Sequence, residues 1–141
     1  MLIKGFRVRD YMNSEPLTVS QDTSIMEAVS LLVSYDISVL LVVSHDNALV
    51  GMFAERDCIG TALQSEYFGD CADQVRDFMT PSAHAVAPDA SLMDVAQFFC
   101  ESPFRRCPVV EAGCMVGLVT RRDILRLLIE PAFLNSTHPE S

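Results

Sequence analysis

The stretch VRDYMNSEPLTVSQDTSIMEAV (8–29) returns as VRDFMTPSAHAVAPDASLMDVA (75–96), at a constant offset of 67. Val8, Arg9, Asp10, Met12, Val19, Asp22, Ser24 and Met26 all recur as identities. The offset falls to 66 past a turn, because SHDNALVG (44–51) is one residue longer than EAGCMVG (111–117). A chain that repeats itself in this way folds into two copies of one supersecondary unit, and each copy is too small to bury a sheet alone.

Periodicity assigns the same elements to both copies. Ser24-x-x-Glu27 and Ser91-x-x-Asp94 have the layout of a capping box. Behind them Ile25, Ala28, Val29, Leu32 and Val33 fall at helical spacing, as do Leu92, Val95, Ala96, Phe99 and Cys100. A β-branched apolar run follows, ISVLLVV or RRCPVV, then a turn at HDN or EAG, then LVGMFA or MVGLVT. Two such runs separated by turn chemistry predict a hairpin. A second helix is expected from Glu55 or Arg121. The fold class is therefore α/β (α+β): two β-α-β-β-α repeats, expected to pack face to face. The boundaries read as repeat one at 8–65, a linker at 66–74, repeat two at 75–130 and a tail at 131–141.

Charge separates the two copies. The whole chain of 141 residues carries a formal −9, which argues against a general nucleic-acid binder, since phosphate neutralisation needs a basic footprint. Residues 9–59 hold two arginines against eight carboxylates, whereas the matching 76–126 hold six against six. Five scattered cysteines (58, 71, 100, 107 and 114) without a C-x-x-C pair read as buried thiols in a reducing cytoplasm. The start, MLIKGFRVRDYM, has no signal-peptide pattern, and the apolar run VLLVV (39–43) is too short for a bilayer. His45, His84 and His138 stand apart from any triad-like motif, and there is no metal-spaced cluster or Walker-type loop. Neither a catalytic residue nor a metal ligand is assigned, and no enzyme activity is expected.

The entries Val19-x-Gln21-Asp22-x-Ser24 and Val86-x-Pro88-Asp89-x-Ser91, with the exits Gly51-Met-Phe-Ala54-Glu-Arg-Asp57 and Gly117-Leu-Val-Thr120-Arg-Arg-Asp123, resemble a tandem CBS-domain (Bateman) module over roughly residues 8–130. The resemblance implies pseudo-twofold symmetry, two clefts, a disc-like homodimer, and an adenosine-containing ligand such as AMP, ADP, ATP or S-adenosylmethionine.

In adenosine recognition a carboxylate suits the ribose diol and arginine forks suit phosphate oxygens. Asp123, with Asp57 as its duplicate, is the diol candidate; its bland alternative is a carboxylate favouring a helix N-terminus. Thr120 reads as an N-cap, and the resemblance implies that it also holds ribose or phosphate. Arg105, Arg106 and Arg121 are replaced by Ser38, Val39 and Glu55 in repeat one, which makes them the phosphate candidates. Arg122 is matched by Arg56. Pro108 and Ala85 complete the set in repeat two, where repeat one has Leu41 and Thr18; Thr18 is a candidate polar group near the purine. Repeat one lacks the hydroxyl at Ala54 and carries Glu55, so the second repeat is expected to be the main nucleotide site. The first is either empty or takes an uncharged or cationic adenosine derivative.

The stretch ILRLLI (124–129) has almost no polar face, which predicts burial against a partner subunit or against PAFL (131–134). The expected protein is a cytoplasmic regulatory homodimer that controls an enzyme or transporter in trans. A ligand-free dimerisation scaffold and an S-adenosylmethionine or NADH sensor remain open beside it.

Overall fold

In each repeat the helix before the hairpin starts where a serine caps it. Ser24 Oγ accepts the Glu27 N–H at 3.1 Å, and Ser91 Oγ accepts the Asp94 N–H at the same distance. The computed structural model describes residues 5–64, 73–81 and 84–129. In chain order the elements are α1 (Val8–Tyr11), β1 (Thr18–Val19), α2 (Ile25–Ser34), β2 (Val39–Val43), β3 (Leu49–Ala54) and α3 (Glu55–Gln64). A short 3-10 turn (Val75–Asp77), β4 (Thr80–Pro81), α4 (Leu92–Glu101), β5 (Arg106–Glu111), β6 (Cys114–Thr120) and α5 (Arg121–Ile129) follow. The expected helix–hairpin–helix order is present in both copies.

The buried stripe is narrower than the helical spacing suggested. Ile25, Ala28 and Leu32 are buried in α2, as are Leu92, Val95 and Phe99 in α4, but Val33 is 75% exposed and Cys100 is exposed. Positions i, i+3 and i+7 face the core, and the last residue of each set has rotated off that face.

The described residues form two compact units, and their division crosses the sequence repeats. One unit is 17–81; the other joins 5–16 to 84–129. In the first, four strands run in the order β1-β2-β3-β4, with β1 parallel to β2 and the other pairs antiparallel. In the second, β5 and β6 pair antiparallel and are flanked by two isolated bridges, Val86 parallel to Val109 and Asn13 antiparallel to Leu118. These bridges match the Val19–Val42 and Met52–Thr80 pairs of the first unit. The opening segment of each repeat therefore lies on the sheet of the other repeat.

That crossing explains two glycines. A Cβ on Gly51 would meet the Thr80 carbonyl oxygen at 2.8 Å, and one on Gly117 would meet the Asn13 carbonyl oxygen at 2.9 Å. Only a residue without a side chain lets the crossing backbone come so close. The crossing segments also complete the cores. Val8 and Tyr11 pack with Leu92, Val95, Phe99, Cys107 and Leu127, while Val75 packs with Ile25, Leu32, Leu40 and Phe53. Each fully buried side chain of this size stabilises by roughly 1.5–3 kcal/mol.

The two units differ at the end of their first long helix. After α2, Asp36 takes φ +52°, its N–H reaches the Val33 carbonyl, and the Ile37 N–H reaches Leu32. This is a Schellman closure. The matching residue after α4 is Pro103, whose ring forbids positive φ. There the chain leaves the helix in extended form at Ser102, with ψ 157°.

Candidate functional site

Eight of the ten candidate residues gather at one end of the sheet of the second unit. Arg106 pairs with Thr120, and Pro108 with Leu118, at the start of β5 and the end of β6. The Val86 N–H bonds the Pro108 carbonyl at 3.0 Å, which brings Ala85 to the same edge. The Arg121 N–H bonds the Arg105 carbonyl at 3.0 Å, and its guanidinium folds back onto the Ser102 carbonyl, also at 3.0 Å. Arg105, Arg121 and Arg122 are exposed, and Arg106 is half-buried.

Thr120 and Asp123 form a reciprocal cap at the start of α5. The Thr120 N–H donates to Asp123 Oδ2 at 2.9 Å, and the Asp123 N–H donates to Thr120 Oγ1 at 3.2 Å. Both side chains are buried, Asp123 to 3% exposure. The pair thus satisfies a strand end and a helix start together. Tyr11 lies close by: burial first, then the Asp123 carboxylate, pushes its phenol well above the usual tyrosine range.

The first unit builds a looser version. The Ala54 N–H donates to Asp57 Oδ2 at 2.8 Å, but no hydroxyl at residue 54 can return the bond. Instead Thr80, on the crossing segment, donates its hydroxyl to Asp57 Oδ1 at 3.3 Å. Sequence reasoning missed this hydroxyl. Thr80 is the counterpart of Asn13, which crosses to Leu118, but the crossing itself is not visible in the pattern. Tyr11 was missed for the same reason; its counterpart is Phe78.

Thr18 pairs with Leu41 on β2, as its counterpart Ala85 lies beside Pro108. Thr18 lines a cavity of about 400 Å³ with Ser20, Asp22, Ser44, His45 and Arg76. That cavity opens at the far end of β2 from Val39, which pairs with Ala54. Its polar groups are largely committed to one another: Arg76 is ion-paired with Asp22, Ser44 donates to Asp46, and Ser20 accepts the Asp22 N–H at 3.2 Å.

Burial pushes the Cys107 thiol up to about 11. Burial, aided by the Asp57 and Glu55 carboxylates, does the same to Cys58, also to about 11. Such thiols stay protonated near neutrality and are poor nucleophiles. Among the described residues no group of His, Cys, Asp and Glu is placed to hold a metal ion, and no helix is long and apolar enough to cross a membrane. Cys71, His138, PAFL (131–134), the tail and linker residues 66–72 lie outside the described residues.

The fold agrees with what comparison with known proteins finds. The CBS domain family profile matches residues 8–63 and 75–130. An uncharacterized protein of Methanocaldococcus jannaschii is 30% identical over 121 residues, covering 86% of this chain; the chain spans only 42% of that relative's length. The crystal structure of CBSX2 in complex with AMP, a protein of Arabidopsis thaliana, superposes with a TM-score of 0.79 at 32% identity, over 91% of this chain and 99% of that one. The CBS domain pair of protein MJ0100, in complex with 5'-methylthioadenosine and S-adenosyl-L-methionine, gives 0.76 at 27% identity, over 87% of this chain and 99% of that one. With both of its repeats matched, this chain belongs to the CBS-domain family as a tandem pair.

Proposed function

We propose that this chain is a regulatory module that senses an adenine nucleotide (AMP, ADP or ATP), with its main site in the second repeat and no catalytic activity of its own. The observation that carries the reading is the gathering of Arg105, Arg106, Arg121 and Arg122 around the Thr120–Asp123 cap, at positions where repeat one has Ser38, Val39, Glu55 and Arg56. In this reading Arg105, Arg106 and Arg121 hold phosphate, Thr120 and Asp123 serve the ribose, and Ala85 and Pro108 line the base. The AMP complex of CBSX2 and the adenosyl ligands of MJ0100 support the ligand class.

The reading includes a homodimer acting in the cytoplasm on an enzyme or transporter in trans. Leu125, Leu128 and Ile129 on α5 are 54%, 50% and 79% exposed, an apolar face that a second subunit would cover. A monomer in light scattering at high micromolar concentration would reject the dimer.

A second ligand class has its own support. Repeat one carries Glu55 and Asp57 beside Ala54, a setting that repels phosphate and suits a cationic adenosine derivative such as S-adenosylmethionine. Calorimetry with AMP, ATP and S-adenosylmethionine tests both readings. One phosphorylated nucleotide per chain is expected; two equivalent AMP or ATP sites would overturn the asymmetry, and no binding of any adenosyl compound would leave the scaffold reading.

A further inference from the structure

We infer that the nucleotide's base is held in the second repeat by an aromatic platform formed by Phe104 and His84 and backed by Phe98; the inference rests on the nucleotide-sensing reading above. The three rings are packed around one another. His84 lies 5.9 Å from Phe98 and 5.7 Å from Phe104 between ring centroids, and Phe98 and Phe104 are stacked within 9° of parallel at 6.3 Å. Phe98 is half-buried and contacts the core through Phe99, edge-on at 5.3 Å. Phe104 stays 39% exposed and His84 is exposed, so the outer side of the group faces water.

Repeat one has no such group. Its matching residues are Leu17, Leu31 and Ile37, three aliphatic side chains for three aromatic ones. The aromatic residues appear in the copy that also gained the arginines. The two sets are joined through one loop: Phe104 precedes Arg105, and Arg121 is tied to Ser102 and Arg105 on either side of it. Pro103 supplies the geometry, because it replaces the left-handed Asp36 and sends the chain out extended toward Phe104. An exposed π face next to guanidinium forks fits a base joined to a phosphate: the base stacks, and the phosphate takes the charged donors.

Titration calorimetry on the full chain with adenosine and AMP tests this in wild type, Phe104→Leu and Phe104→Trp. Phe104→Leu keeps apolar bulk but removes the π face, and is expected to weaken adenosine and AMP by the same factor, about tenfold. Phe104→Trp is expected to restore or exceed wild-type affinity. Arg121→Ala, in contrast, is expected to weaken AMP and leave adenosine unchanged. The His84 ring-proton signals in NMR are expected to move on adding adenosine, through the ring current of the stacked base. Wild-type AMP binding with an unaltered Phe104→Leu affinity would overturn the platform while the sensing reading stands. A wild type that binds neither compound would overturn both.

Discussion

The two units perform the same local task, starting a helix at a strand end, with different atoms. In the second, Thr120 and Asp123 exchange two hydrogen bonds while buried. In the first, Asp57 is half-buried, receives one backbone N–H, and finds its hydroxyl on Thr80, 23 residues away in the chain. A local, buried, reciprocal cap is stiffer than one that depends on a separate segment. Arg105, Arg106, Arg121 and Arg122 cluster at the stiff copy.

The largest expected difference follows directly. Asp123→Ala removes the charged acceptor of the buried Thr120 N–H and leaves the Thr120 hydroxyl capping the residue-123 N–H; it is expected to destabilise by about 3 kcal/mol. Asp57→Ala, at a more exposed site, is expected to cost about 1 kcal/mol. Urea unfolding of the two variants measures the gap. Equal costs would mean that burial does not distinguish the caps.

How much of this was open to reading depended on whether the information was local. The repeat, the Ser24 and Ser91 caps, the hairpins and the starts of α3 and α5 are written in contiguous residues, and the structure has them. Val33 and Cys100 went astray because helical spacing alone does not say where a buried stripe ends. Thr80, Tyr11 and the roles of Gly51 and Gly117 depend on segments that cross to the sheet of the other repeat, and a repeat pattern suggests that each copy keeps its own. Thr18 matches Ala85 in register as well as in sequence, and the cavity that it lines rests on Arg76, which the crossing segment brings in.

The cores differ as well, and pH is the probe. Cys107, fully buried in the second unit, stands where the first has Leu40. Its folded pKa is about 11 against a reference of 9.0. The unfolded chain therefore loses this proton near pH 9, while the folded one keeps it until near 11. Above pH 9 the unfolded state binds fewer protons, so the contribution is complete below pH 9 and is lost as pH rises through 11, by roughly 2–3 kcal/mol. Cys107→Val is expected to flatten that fall in urea titrations between pH 9 and 11. Cys58 is half-buried, so solvent screens part of its own shift. A fall of the same size in the variant would assign the alkaline loss elsewhere, with Tyr11 the next group to examine.

The smallest effect is the sharpest test of how the two caps relate. Ala54→Thr places a hydroxyl where Thr120 has one, three residues before the Asp57 backbone N–H that it can accept. Ala54 is half-buried where Thr120 is 6% exposed, so the added atoms meet less crowding than the second unit already accommodates. A gain of about 1 kcal/mol is expected. Thr80→Val in the wild type is expected to cost about 0.5 kcal/mol, because its bond to Asp57 is long, 3.3 Å, and lies on an exposed residue. If Ala54→Thr brings no gain while Thr80→Val costs several times that amount, the crossing segment rather than the helix start holds the first cap together. The two units would then be built on different principles, not as strong and weak copies of one.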